Sequence, residues 1–292
     1  MLEIRPMALS SKYTARTLDA ALAAARRAGA IHRQHFGAAD LTVEVKADSS
    51  PVTRSDRLAE EAIREELARR VPELGFLGEE FPAEGNQNQR WIIDPLDGTK
   101  NFVAGLPYYA ILIALELDGV LELGLVHAPS LALDGWDAAH DARGDRAGAT
   151  WWAARGRGAY HGRGTRAEEL QGNRLAVSTT AGPERAFLLH GGLRRIQEHG
   201  LWEPFSATVA RVSRTRGFGD WWGHMLVAEG RADAMFEAAV ALHDVAAVKV
   251  IVEEAGGTFK TRGNAPLTDA FSEAVLSSNR ALSEELAGML GM

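Results

Sequence analysis

Residues 91–99 read Trp-Ile-Ile-Asp-Pro-Leu-Asp-Gly-Thr, and this segment constrains the fold more tightly than any other. Trp91-Ile92-Ile93 is a short apolar run of the kind buried in a sheet, and it ends abruptly at Asp94-Pro95. Pro95 fits the second position of a β-turn, whose end residues lie within about 7 Å of each other. Asp94 and Asp97 can then present carboxylates to one place while the backbone between them offers carbonyl oxygens. Hard cations such as magnesium take oxygen ligands of both kinds. An ordinary Asx turn after a strand uses the same residue types, so the segment alone leaves both readings open.

Around it the chain mixes helical and strand patterns. Leu18, Leu22, Ala25, Ile31 and Phe36 give residues 10–36 helical spacing, with Gly37 as a stop. A second helix begins near Thr53, where Thr53 and Asp56 form a shortened capping box; it carries Leu58, Ala62, Ile63 and Leu67 on one face and ends at Pro72. Leu41 to Lys46 alternates like a strand between the two. Ala110 to Leu117 and Leu121 to His127 flank Asp118-Gly119, a strong hairpin signal. Residues 134–150 look like an exposed loop, and the Asp137, Asp141 and Asp145 series within it matches no EF-hand spacing. Further strands are expected at 174–178 and 232–237. Helices are expected at 183–199, 220–230 and 245–255, the last closed by Gly256-Gly257. No repeat or linker divides the chain, so residues 1–292 are expected to form one α+β domain, a layered sandwich rather than an alternating barrel.

A formal charge of −7 argues against a general nucleic-acid binder. It says little against a small phosphorylated substrate, because a bound cation inverts the charge of its site. With no cysteine, disulfides, thiolate nucleophiles and Cys-based zinc sites are excluded. Met1 to Ser10 lacks the apolar core of a signal peptide. Ala110 to Leu117, interrupted by Glu116, is too short to cross a bilayer. A cytoplasmic protein without a membrane partner is expected.

Gly78-Glu79-Glu80 lies upstream of the acidic turn, where paired glutamates by themselves would be solvated surface. Asp244 stands where a strand-like region gives way to a helix, where by itself it would be an N-cap. Together these pieces are more specific. Gly78-Glu79-Glu80, then 91–102 (Trp-Ile-Ile-Asp-Pro-Leu-Asp-Gly-Thr-Lys-Asn-Phe), then Asp244-Val245-Ala246-Ala247 with Glu253-Glu254-Ala255-Gly256-Gly257, resemble the inositol monophosphatase superfamily in register over roughly 15–285.

The resemblance implies an αβαβα sandwich of the inositol monophosphatase and fructose-1,6-bisphosphatase type, a homodimer, and phosphomonoester hydrolysis with two or three Mg2+ ions, for which Mn2+ can substitute. It implies that Glu79, Asp94 and the Leu96 carbonyl bind a first metal, that Asp94, Asp97 and Asp244 bind a second, and that Glu79 helps hold a third. Thr99 would pair with Asp56 to activate the attacking water, and the Gly98 and Thr99 amides would cradle the phosphate. Two metals clamping an in-line displacement need no protein nucleophile. His243 departs from the family, whose members often have Trp there; packing and metal ligation are both open to it.

For the substrate, Gly219-Asp220-Trp221-Trp222, the run 226–233 and the run 151–159 are similar to the histidinol-phosphatase branch. Histidinol phosphate carries an ammonium and an imidazole, which Asp220 and Glu237 can pair with; a polyol needs only hydrogen bonds. Asp220 as a helix N-cap is the plainer alternative, and Arg216 could meet the phosphate or an acid across a dimer. The expected activity is hydrolysis of L-histidinol phosphate to L-histidinol and phosphate. Alternatives are an inositol-1-monophosphatase or broad sugar-phosphate phosphatase, a 3'(2'),5'-bisphosphate nucleotidase, and a catalytically silent metal-binding regulatory protein.

Overall fold

Apolar residues that face both ways along each central strand demand a cover on both sides, and the chain supplies it in five layers. The computed structural model describes residues 11–38, 43–45, 51–131, 148–162 and 173–292. The first layer is α1 (Ser11–His35) with α2 (Arg54–Arg70), entered through a small antiparallel pair, β1 (Val43–Val45) and β2 (Pro51–Thr53). The second is a seven-stranded sheet in sequential order: β3 (Gly75–Gly78), β4 (Gln89–Asp97), β5 (Ala110–Leu117), β6 (Val120–Ala128), β7 (Ala149–Ala154), β8 (Gly158–Gly162) and β9 (Asn173–Arg174). Only β3 and β4 run parallel within it. A short helix, α3 (Thr99–Val103), follows β4.

The fourth layer is a five-stranded sheet of β10 (Phe187–His190), β11 (Arg214–Arg216), β12 (Ala234–Val240), β13 (Thr258–Thr261) and β14 (Glu273–Ser278), in the order β11-β10-β12-β14-β13. Between the sheets lie α6 (Asp220–Ala228) and α7 (Leu242–Glu254). The outer layer holds α4 (Leu193–Glu198), α5 (Trp202–Val209) and α8 (Ser283–Leu290).

The side-chain period of two sorts the residues of each strand between layers. On β5, Ile111, Ile113 and Leu115 meet Leu22, Ala25, Ile63 and Leu67 of the first layer. Leu112 and Ala114 face inward with Val126, Trp151, Val245, Val248 and Ile251. Leu188, Phe236 and Leu276 bury the far face of the second sheet against Ile196, Phe205 and Leu286. Strands covered on both faces read as continuous apolar runs, which is why 110–117 is so uniform. At the β5–β6 connection, Asp118 (φ 50°) and Gly119 (φ 79°) are both left-handed, as a type I′ turn requires. The layered α+β sandwich expected from the sequence is the observed architecture.

Several local expectations need correcting. Residues 183–199 are not one helix: a 3-10 turn at Pro183–Arg185 leads into β10, and only Leu193–Glu198 is helical. Gly191-Gly192 breaks the run, and Leu188 and Leu189 are buried centrally in the second sheet. The strand expected at 174–178 shrinks to its first residue, and α5 was not anticipated. Ala149 and Thr150 belong to β7 rather than to a loop over 134–150; the Asp137, Asp141 and Asp145 series lies outside the described residues. No helix among the described residues is long and apolar enough to cross a membrane.

Candidate active site

The expected β-turn at Pro95 is replaced by a bulge. Strand β4 continues to Asp97, with Asp94 opposite Leu112 and Asp97 opposite Ala110, so three steps on β4 match two on β5. In a regular strand, residues three apart face opposite sides. The extra residue of the bulge brings Asp94 and Asp97 to the same side, and Pro95, with no N–H to place in a ladder, occupies it. Gly98 then turns with φ 87°. A Cβ there would lie 2.7 Å from the Tyr108 carbonyl oxygen, so conformation and space both require glycine. Thr99 opens α3, and its Oγ1 donates to the Leu96 carbonyl at 2.9 Å with Asp56 Oδ1 3.4 Å away.

Asp56 caps α2. Its Oδ2 accepts the Thr53 amide at 2.9 Å and the Thr53 hydroxyl at 2.5 Å. Only 1% of it is exposed. Burial raises its pKa to about 6, the Thr53 hydrogen bonds opposing this and Glu80 and Glu79 reinforcing it. Asp94, 2% exposed, accepts the Leu96 amide at 2.9 Å. Asp97 accepts the Trp221 amide at 2.8 Å. Asp244 is the third residue of α7 rather than its N-cap, and its Oδ2 accepts the Ala241 amide at 2.7 Å. Each acid is thus aimed by one backbone N–H.

The acids also press on one another. Burial first, then Glu79, Asp97 and Asp244, drives Asp94 well above the carboxylate range. Burial, Asp220, Asp244 and Glu237 do the same to Asp97. Burial raises Asp244; His243, whose Nε2 lies 3.3 Å from Asp244 Oδ1, and the Ala241 amide pull it down, while Glu79 and Glu237 push it up. Although crowded by its neighbours, the Asp244 side chain is 32% exposed, so solvent reaches the acid cluster at this residue. Among the described residues no three acidic or histidine side chains are already drawn to metal-ligand spacing. The fit to a hard cation lies in the donor set, all carboxylate and carbonyl oxygen, whose mutual repulsion a cation relieves.

A second acidic pair adjoins this cluster. Asp220, the first residue of α6, has φ 57°, and the N-cap is Gly219. Its amide donates to Glu237 Oε1 at 3.0 Å and its Oδ2 accepts Asn101 Nδ2 at 3.2 Å. Burial, then Glu237 and Asp244, raises Asp220 to about 7, with Asn101 and Lys100 opposing. Glu237 stands at a bulge of β12, held on its other oxygen by His224 Nε2 at 3.3 Å, while His224 Nδ1 meets Ser277 Oγ at 2.7 Å. Arg216 is not drawn in: it is exposed on the edge strand β11 and donates to the Thr215 carbonyl at 2.7 Å.

Sequence reasoning gave no role to Asn101, His224 or His32. His32 is fully buried on α1, with Nε2 2.7 Å from the Pro95 carbonyl and Nδ1 2.8 Å from Ser55 Oγ. A carbonyl only accepts, so Nε2 carries the proton and Nδ1 accepts from the Ser55 hydroxyl. Burial holds the ring neutral by lowering its pKa to about 4. His32 therefore ties the bulge between Asp94 and Leu96 to the start of the helix that carries Asp56. A lone histidine on an apolar helix face was its only sequence signal.

Known proteins match this chain in sequence and in fold. The family profile described as the inositol monophosphatase family matches residues 14–290. A histidinol-phosphatase of Mycobacterium tuberculosis is 41% identical over 81% of this chain and 84% of its own. An inositol-1-monophosphatase of Mesorhizobium japonicum is 34% identical over 82% and 83%. Among solved structures, the extragenic suppressor protein suhB of Bartonella henselae superposes with a TM-score of 0.78 at 28% identity, covering 94% of this chain and 98% of that one.

Proposed function

Because the chain belongs to the inositol monophosphatase family and is a phosphoric monoester hydrolase, we propose that its substrate is L-histidinol phosphate and its cofactor Mg2+. The observation that carries the substrate is the Asp220–Glu237 pair beside Asp97 and Asp244. Two adjacent acids suit an alcohol bearing an ammonium and an imidazole, and give no advantage to a neutral polyol. The similarity to proteins named histidinol-phosphatase supports the same reading.

In this account Glu79, Asp94, Asp97, Asp244 and the Leu96 carbonyl would hold two or three ions. Bound magnesium would supply charge neutralisation for the phosphoryl group and a lowered pKa for the attacking water. Thr99 Oγ1 accepts a hydrogen bond from that water and turns its own proton to Asp56 Oδ1. Asp56, with a pKa raised to about 6, is a base matched to neutral pH. The Gly98 and Thr99 amides orient the phosphate, and Asp220 and Glu237 hold the cationic end of the alcohol. We place the enzyme in the cytoplasm, as one phosphatase domain assembled into a homodimer, with Mn2+ as a substitute ion.

The test is phosphate release from histidinol phosphate with Mg2+ and with EDTA. Release that requires the metal is expected. No release from this ester, alongside turnover of inositol 1-phosphate, would contradict the assignment.

A further inference from the structure

Glu60 is fully buried on α2, one turn after Asp56, yet its carboxylate takes no part in the chemistry above. Its Oε2 accepts the Glu80 amide at 2.7 Å. Its Oε1 accepts Arg64 Nε at 2.9 Å and lies 2.8 Å from Arg64 Nη2. Arg64 Nη2 continues to the Phe81 and Pro82 carbonyls, each at 3.1 Å. Its guanidinium lies over the Phe76 and Phe81 rings, 5.5 and 5.7 Å from their centroids.

These partners bracket Glu79 on both sides. Before it, β3 ends at Gly78, where an added Cβ would lie 1.8 Å from Glu60 Oε1. After it, Glu80, Phe81 and Pro82 are each bonded to the Glu60–Arg64 pair. Glu79 itself bears on the acid cluster, where its charge acts on Asp56, Asp94 and Asp244. Asp56, Glu60 and Arg64 sit four residues apart and so share one stripe of α2. One helical face therefore carries both the acid that meets Thr99 and the post against which the Glu79 segment is set. A carboxylate is costly to bury unless its hydrogen bonds are made, and here every such bond goes to that segment or to Arg64, which clamps it.

We propose that Glu60 is a positioning residue for the metal site: its carboxylate fills the space a side chain at position 78 would need, and so fixes the Glu79 carboxylate relative to Asp56 and Asp94. This rests on the reading in which Glu79 holds a metal ion. Partners that orient ligands commonly change metal affinity by about 10- to 100-fold.

The experiment is calorimetric titration of metal-free protein with Mg2+, for wild type, Glu60→Ala, Gly78→Ala, the double variant and Glu79→Gln, with a thermal melt of each. Glu60→Ala and Gly78→Ala are each expected to weaken Mg2+ binding about tenfold. KM for the phosphate ester at saturating Mg2+ should stay within about twofold, a split that general loosening of the fold does not give. The double variant is expected to bind about as well as Glu60→Ala, because the carboxylate that the methyl group added by Gly78→Ala would strike is gone. Folded variants with wild-type Mg2+ affinity, or a double variant showing the full product of the two losses, would overturn the proposal. Should Glu60→Ala not fold, Arg64→Ala keeps the carboxylate and removes the clamp on Phe81 and Pro82; wild-type Mg2+ binding there is equally fatal, and weakened binding supports the proposal. If Glu79→Gln binds Mg2+ normally, the metal reading fails and takes this inference with it. If only Glu79→Gln loses Mg2+, this inference alone fails.

Discussion

The Asp220 amide donates to Glu237 Oε1 at 3.0 Å, so the two acids beside the proposed metal site are fixed as a pair. Glu237 is among the groups that hold Asp220 near 7. KM for histidinol phosphate is therefore expected to rise as pH falls below about 7, where Asp220 takes up a proton and loses its charge. In Glu237→Gln the baseline KM is higher, but the midpoint of this rise moves to lower pH, because a like charge has been removed. The substrate's own titration is common to both proteins, so the shift between them is the readout.

Asp94 should show opposite effects on stability and on activity. Asp94→Asn removes one of several crowded carboxylates, so the metal-free protein is expected to gain on the order of 1 kcal/mol. A chain of this size then melts roughly 1–2 °C higher. The same variant should lose Mg2+-induced stabilisation and phosphatase activity. Thermal melts with and without Mg2+ check both; a destabilised metal-free protein would count against repulsion as the dominant force.

The Thr99–Asp56 relay predicts a loss confined to turnover. Thr99→Ala and Asp56→Asn are each expected to lower kcat by about 10²- to 10⁴-fold with little change in KM. Because the two residues act as a unit, the double variant should be scarcely worse than either single one. Multiplicative losses in steady-state kinetics would separate their roles.

His32 makes an acid-sensitive contribution. Its native pKa, about 4, lies below the ordinary 6.5, so the unfolded chain takes up the proton first. The stability is whole above about 6.5 and is lost as pH falls toward 4, by on the order of 3 kcal/mol. Denaturant melts of wild type and His32→Asn from about pH 7.5 to about pH 4.5 should therefore converge. His127, lowered to about 3 by burial, is present in both proteins and cancels.

The layered fold was legible because its signals are local: the continuous apolar run at 110–117, the Asp118-Gly119 turn, and the Thr53–Asp56 cap. The acids of the cluster were legible as residues because they lie in short runs such as 91–99. Their geometry was not. A bulge at Pro95 and a turn at Pro95 have the same sequence, and only the pairing with β5 distinguishes them. His32, Glu60 and Arg64 escaped notice for a related reason. Each acts across elements distant in the chain, where single-residue patterns carry no signal, and Phe187–His190 is too short to declare its period.

The central claim is that a phosphatase site common to this family is fitted here to a cationic alcohol. Its most direct test is the ratio of kcat/KM for histidinol phosphate to that for inositol 1-phosphate at saturating Mg2+, in wild type and in Asp220→Asn. The account predicts a ratio well above one in wild type, falling about tenfold or more in the variant through KM for histidinol phosphate. A wild-type ratio at or below one, or a ratio that Asp220→Asn leaves unchanged, would contradict it.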